Sequence, residues 1–493
     1  MTQHNSQPIV PPGTRDERTP SGAAEAGSPQ MERHYTGVMG WLNDRVGIEG
    51  LYQKFGHKAF PVHTSFFLGE MAMFSFIILV ITGAYLGLLY VPSNSLVDFN
   101  GQKYPAAFAS VKLIESIPVA NLLRNVHHWG AHLMIASVIL HSMRVFFTGT
   151  YRKPRELNWL IGVVLLILTI GAAFMGYSLP YDAFAVTATG IGYGIARSIP
   201  YIGNFASELV FGGIFPSLGS LSRLYTLHIF IIPALLALTM AAHLVLLIKQ
   251  KHSQPAYARK LAEPGKVLGT SLWPYQAVLA GQLLLFMLAG LFLLSAFVPI
   301  HPLDAFGPPG PETPEVKPDW YLMWTYGFLK LVPPKAIIPL PGGASIGPEF
   351  IGGLVFSGLV FGILFAVPWL DRTNRINRSY EYLQPVWQAP LRTALGVAFL
   401  VYLVALFIAA YYDSLGLTVL QTWLITIAIP TVVGSGVFLW HKRAAMYHAE
   451  EFDPTSMTTQ VPEAAGSSAD EYSPCGARGP EPPCWWIGAS LDI

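Results

Sequence analysis

Apolar and polar positions along this chain alternate in blocks much longer than the period of a soluble helix or strand. A membrane-crossing helix needs about 20 predominantly apolar residues. Eight stretches reach that length: roughly 66–90, 126–147, 157–179, 224–248, 275–298, 349–370, 394–412 and 417–440. They predict an all-α membrane protein with eight transmembrane helices. The segment 180–222, between the third and fourth, is amphipathic but broken by Gly and Pro, so it predicts short helices lying on one surface. The opening 30 residues are polar and Pro/Gly/Ser-rich, with no secretory signal pattern, and predict disorder. The expected organisation is a largely disordered arm over 1–58, a first membrane domain over 59–265, a second over 266–445, and a disordered tail over 446–493.

Composition agrees with lipid as the solvent. Charged residues make up 12% of the chain, about half the share usual in soluble domains. A net charge of +1 gives no electrostatic basis for nucleic-acid binding. The two cysteines, Cys475 and Cys484, sit in the polar tail and read as reduced thiols without a structural task. Basic residues set the orientation, because short cytoplasmic loops retain Lys and Arg. Arg144, Arg152, Lys153 and Arg155 follow the second span. Lys249, Lys251, Arg259, Lys260 and Lys266 follow the fourth. Arg372, Arg375 and Arg378 follow the sixth, and Lys442 and Arg443 end the eighth. All fall on one side if both termini of this multi-pass chain are cytoplasmic.

Histidines then change the picture. The second span carries His127, His128, His132 and His141, and the fourth carries His228 and His243. Intramembrane ionisable groups are rare unless they have a partner or a task, and neutral imidazole is a good ligand for haem iron. At about 100° per residue, the step from His127 to His141 returns to within about 40° of one face, whereas the step from His128 falls about 140° away. The step from His228 to His243 closes to within about 60°. Each helix therefore offers two imidazoles on one stripe, about 21 Å apart, and two such helices face to face make two bis-histidine sites. Gly69 and Gly83 on the first span, and Gly162 and Gly176 on the third, repeat the same 14-residue step. Glycine lets a flat macrocycle approach the backbone, although membrane helices also use it for packing. Arg124, Arg144 and Arg223 lie near the histidines and suit carboxylate side groups of such a ring. The expected core is a dihaem four-helix bundle formed by the first four spans, with two non-covalent b-type haems.

With these residues in place, the chain resembles the cytochrome b subunit of the quinol–cytochrome c reductases, most of all the menaquinol-oxidising branch of actinobacterial type. The stretches AFMGYSLP (173–180), IPYIG (199–203) and KPDWY (317–321) carry the resemblance, with FLGEMAMFSFIILVITG, RVFFTGTYRKPRELNWL and PDWYLMWT pointing to the branch. It implies that His127 and His228 hold an outer haem flanked by Gly83 and Gly176. His141 and His243 would hold an inner haem flanked by Gly69 and Gly162. It also implies an outer quinol site at Pro318-Asp319-Trp320-Tyr321, with Asp319 accepting a proton and Tyr326 near an iron–sulfur partner. Partner subunits would be a Rieske iron–sulfur protein and a c-type cytochrome, since no CxxCH occurs here; the complex would be a homodimer. One electron would go to the Rieske partner and the other across the membrane to an inner quinone, generating proton-motive force.

The sequence departs from the family in places. Phe67 stands where the photosynthetic branch has a thioether cysteine, so a covalent extra haem is not expected. The 15-residue histidine step of the fourth span matches that photosynthetic branch, whereas the mitochondrial type uses 14. The Lys-Asp pair of the mitochondrial inner site is missing from SLWPYQAVLAG (271–281). Glu70, an acid beside Gly69, is the substitute proton donor, with His252 a weaker candidate; Glu70 reads equally as an interhelical hydrogen-bonding residue. Two rival readings remain at this point. A dihaem anchor of another quinone-linked oxidoreductase would need the histidine pairs but not the PDWY segment, and a transporter using histidine proton relays would bind no haem.

Overall fold

The computed structural model describes residues 37–449 apart from 62, 218, 256–257, 259–267, 301, 311–316 and 372–381. The arm 1–36, the tail with Cys475 and Cys484, and the basic residues Arg259, Lys260, Lys266, Arg372, Arg375 and Arg378 lie outside them. Residues up to Phe55 form one compact unit and residues from Gly56 another. The first contains helix α1 (Gly37–Val46), so part of the arm expected to be disordered is helical.

In the second unit, chain order gives α2 (Thr64–Gly87), α3 (Ala106–Ser116), α4 (Pro118–Phe147), α5 (Glu156–Ser178), α6 (Ala183–Arg197), α7 (Gly203–Phe211), α8 (Ser220–Gln250), α9 (Leu272–Phe297), α10 (Met323–Leu331), α11 (Phe350–Leu370), α12 (Pro390–Ala409) and α13 (Val419–Ala449). Among the described residues, eight of these are long and apolar enough to cross a membrane: α2, α4, α5, α8, α9, α11, α12 and α13 up to Ala444. Each matches one predicted span. The segment 180–222 holds α6 and α7, short helices as the Gly/Pro breaks required.

The all-helical expectation needs one correction. Three two-stranded antiparallel sheets are present among the described residues, the largest a hairpin of Leu96–Phe99 with Gln102–Pro105. Its turn is Asn100-Gly101, both at positive φ, the backbone that a tight hairpin demands and that Asn-Gly supplies.

Spanning helices must satisfy every polar group internally. Several of their hydroxyls do so by donating back one turn: Thr82 to the Ile78 carbonyl at 2.8 Å, Ser142 to Val138 at 2.8 Å, Thr169 to Leu165 at 2.8 Å. The first four spans share one apolar layer, in which buried Phe76, Met134, Ile232 and Leu236 meet Leu79, Val138, Leu165, Leu168 and Met175. The predicted division at 265/266 is not a break in packing, because Leu291 of α9 is buried with Ile78 of α2 and Val126 of α4. Helix α10 is packed on α12 at Gly327, where any Cβ would collide with the Leu406 carbonyl. The Trp320–His132 hydrogen bond and the His132–Tyr321 ring contact place the preceding Pro318–Tyr321 segment beside α4, nearer His127 than His141.

Candidate functional site

The four histidines chosen by helical period meet in two pairs. Ring centres of His127 and His228 are 6.3 Å apart with planes at 75°, and those of His141 and His243 are 6.4 Å apart at 73°. A metal–imidazole bond is about 2.0–2.1 Å long and a ring centre lies about 1.1 Å behind its nitrogen, so two rings sharing one metal have centres about 6.3 Å apart. Both pairs match that separation. The shared apolar layer of Phe76, Met134, Leu165, Leu168, Ile232 and Leu236 lies between the two levels in chain position on each of the four helices.

Neighbouring groups set the tautomers of the His127 level. Thr82 spends its proton on Ile78, leaving its oxygen to accept from His127 Nδ1 at 2.9 Å. His228 Nδ1 donates to the Ala172 carbonyl at 2.9 Å. Each ring then keeps its Nε2 lone pair for a ligand, the usual arrangement behind a metal-bound imidazole.

The glycines face these rings, and the imidazoles stand where a Cβ would reach. A Cβ on Gly83 would stand 2.9 Å from His127 Cε1, and one on Gly176 would stand 2.8 Å from His228 Cε1. On Gly69 it would meet His141 at 3.1 Å, while Gly162 leaves 3.7 Å to His243. Glycine here makes room for the imidazoles themselves. The longer histidine step on α8 also has a local account: Leu227–Ile231 forms a π-helical turn around His228. Such a turn absorbs one extra residue, which leaves His243 in register after 15 residues.

The three arginines differ. Arg144 gives its Nε to Ser65 Oγ at 3.3 Å and has a buried Nη2 without a partner, a site suited to an anion. Arg124 is paired with Glu115 at 2.9 Å. Arg223 is exposed and donates Nη1 to the carbonyls of Glu208 and Leu209, capping α7.

Beside the His127 level, Tyr321 is buried and its hydroxyl donates to Asp319 Oδ2 at 3.1 Å. Burial, then the charge of Asp319, pushes the Tyr321 phenol well above its ordinary 10, so it stays a donor. A cavity of about 210 Å³ lies next to this segment, lined by Pro318, Tyr177, Phe174, Ile195 and Ser357 together with Tyr326. Of the PDWY residues it is Pro318 that lines it. An outer cleft of about 700 Å³ shares Ile191, Tyr326 and Leu329 with it, so these three form the wall between the two spaces. The Trp320 indole donates to His132 Nδ1 at 2.9 Å.

Near the His141 level, Glu70 accepts from Gln276 Nε2 at 2.7 Å, and its second oxygen, Oε2, is buried without a partner. His252 packs edge-on against Phe60 and Phe66 at 5.2 and 5.6 Å, and Arg144 lies 4.2 Å over the Phe66 ring. Burial, then the charges of Arg144, Arg155 and Lys58, lowers His252 to about 4. Sequence reasoning passed over Thr82 and Gln276, whose signals are single polar positions in apolar runs. It saw His132 but gave it no partner.

Comparison with known proteins reaches the same family. Its N-terminal model, described as Cytochrome b(N-terminal)/b6/petB, matches residues 132–308, and the Cytochrome b(C-terminal)/b6/petD model matches 310–429. A cytochrome bc1 complex cytochrome b subunit of Streptomyces coelicolor is 36% identical over 385 residues, covering 75% of this chain and 69% of the relative. The Corynebacterium efficiens protein of the same description is 32% identical over 462 residues, covering 88% and 83%. A chain of a solved hyperthermophilic respiratory Complex III has the same fold, with a TM-score of 0.61 at 23% identity over 83% of this chain and 99% of that one. The chain therefore belongs to the cytochrome b family, as a multi-pass cytochrome b subunit of the bc1 type.

Proposed function

We propose that this chain is the dihaem subunit of a respiratory quinol–cytochrome c reductase in a bacterial plasma membrane, with both termini cytoplasmic. The observation that carries the reading is the pair of imidazole couples at 6.3 and 6.4 Å between α4 and α8. When bound, two b-type haems would supply single-electron carriage from one face of the membrane to the other. His127 and His228 would hold the outer one and His141 and His243 the inner. Thr82 and Ala172 would fix the ligand tautomers, and Gly69, Gly83 and Gly176 would leave the rings the room they need. Arg144, with its unpartnered Nη2, would hold a propionate of the inner group.

At the outer site, Pro318 and Tyr326 would line the pocket for a quinol, in this branch a menaquinol. Asp319, next in the chain to the cavity-lining Pro318, would accept a quinol proton beside a cavity walled largely by apolar side chains, and Tyr321 would hold that carboxylate. One electron of each quinol would leave to a Rieske iron–sulfur partner and onward to a c-type cytochrome. The other would cross the membrane to a quinone near Glu70, whose unpartnered Oε2 suits a proton donor. A dimeric complex is part of the proposal.

The test is a dithionite-reduced minus oxidised spectrum with haem quantified per polypeptide, followed by the Asp319→Asn variant. Two b haems titrating as separate waves, with quinol oxidation lost and both haems retained in the variant, is the expected result. A well-folded chain without haem, or full quinol oxidation by the variant, overturns the reading.

A further inference from the structure

His132 is an intramembrane histidine for which the ligand pairs have no use. It lies five residues after His127, about 140° around the helix, on the face turned towards the Pro318–Tyr321 segment. Its ring is enclosed by those of His128 at 4.6 Å, Trp129 at 5.6 Å and Tyr321 at 6.2 Å.

The hydrogen bonds fix its chemical state. An indole N–H can only donate, so the 2.9 Å contact from Trp320 requires a lone pair on His132 Nδ1. A neutral imidazole then carries its proton on Nε2, which faces His128 Nε2 at 3.1 Å and donates to it. The bonds run in one direction, from Trp320 through His132 to His128. Trp320 is 37% exposed while Tyr321 is 4% exposed. Packing alone therefore does not hold the Trp320 ring, and its one polar atom is given to α4.

We propose that His132 is a positioning residue for the outer quinol site: by accepting the Trp320 indole it fixes the Asp319–Tyr321 segment against the helix that carries His127. The proposal rests on the reading of Asp319 as the quinol-site acid. The anchor stands five residues, about 7.5 Å along the axis, from a ligand histidine on the same rigid helix. Asp319 and Tyr321 flank Trp320, so one bond sets both the acid and the hydroxyl that supports it. No proton passes through the anchor in this scheme.

The test uses the intact complex in membranes, with a short-chain menaquinol as reductant and its c-type cytochrome as acceptor. His132→Leu removes the acceptor while keeping bulk, and His132→Asn places Oδ1 where Nδ1 stood. Loss of one hydrogen bond predicts a roughly threefold to tenfold fall in kcat/KM for His132→Leu. The fall should lie in KM with kcat little changed, because substrate must then order the segment itself. His132→Asn should recover to within about twofold. Trp320→Phe should match His132→Leu, and the double variant should be no worse than either single one, since both remove the same bond. Haem content and both redox waves should be unchanged throughout.

An unaltered KM in His132→Leu, an Asn variant as impaired as the Leu variant, or additive single effects would overturn the anchor. Should His132→Leu not assemble, Trp320→Phe with both haems present decides the matter by the same KM criterion. An active Asp319→Asn complex refutes the site itself. An inactive one alongside unaffected His132 variants refutes the anchor alone.

Discussion

The four glycines facing the ligand rings allow a graded experiment, because an added methyl meets a different obstacle at each. At Gly176 and Gly83 it would lie 2.8 and 2.9 Å from a histidine carbon, against an ordinary contact of 3.4–4 Å. The ring would have to retreat by about 0.5–0.6 Å, whereas a coordinating atom must stay within about 0.2 Å of its bonding distance. Overpacking of this kind costs about 1–3 kcal/mol, or about 5-fold to 150-fold in retention of the bound group. At Gly69 the deficit is smaller, at 3.1 Å, and at Gly162 the 3.7 Å contact needs no adjustment. Four single alanine variants, purified and assayed for haem per polypeptide with redox titration, should therefore rank Gly162→Ala as unaffected, Gly69→Ala as intermediate, and Gly83→Ala and Gly176→Ala as losing the outer wave. If Gly162→Ala loses haem as readily as Gly176→Ala, ring clearance is the wrong explanation and helix packing is the right one.

Two other variants test the His141 end of the molecule. Glu70→Gln keeps a partner for Gln276 but removes the acid; inner-haem reoxidation by quinone should slow at least tenfold while both haems and the first quinol turnover persist, and unchanged reoxidation kinetics would reduce Glu70 to a hydrogen-bonding residue. His252 has a folded value of about 4, below its ordinary 6.5, so the unfolded chain takes up its proton first as pH falls. Its burial therefore subtracts stability progressively between pH 6.5 and about 4, by about 3 kcal/mol in total, and contributes nothing above that window. His252→Phe should melt at a temperature less dependent on pH between 7 and 4.5 than the parent in the same detergent, and identical slopes would contradict the assignment.

The spans were legible because lipid imposes a length that few other constraints imitate, and the histidine pairs because a 14-residue step nearly closes a helical circle. What escaped the sequence reading depends on partners distant in the chain. The second span starts at Pro118 rather than near 126 because Asn121, Arg124 and Asn125 look too polar to span, yet Glu115 satisfies Arg124 and proline suits a first helical turn. The hairpin of Leu96–Phe99 with Gln102–Pro105 is too short to leave a periodic signal, and only its Asn-Gly turn marks it. Arg223 stands close to His228 in the chain, yet its Nη1 goes to the carbonyls ending α7, partners 14 and 15 residues away that no local pattern marks. Trp320 and His132 are 188 residues apart, and no local pattern joins them.

The widened turn at Leu227–Ile231 has a consequence for how such a helix changes length over time. An insertion in a regular helix rotates everything beyond it by about 100°, which would carry His243 away from His141 and end haem binding in one mutational step. Swelling a single turn confines the extra residue to five positions and leaves the downstream face where it was. Deleting one residue from this turn would restore a plain α-helix with a 14-residue histidine step and the same ligand pair. Fourteen and fifteen are thus interchangeable solutions, and an indel at this place is survivable where a few residues further on it would not be.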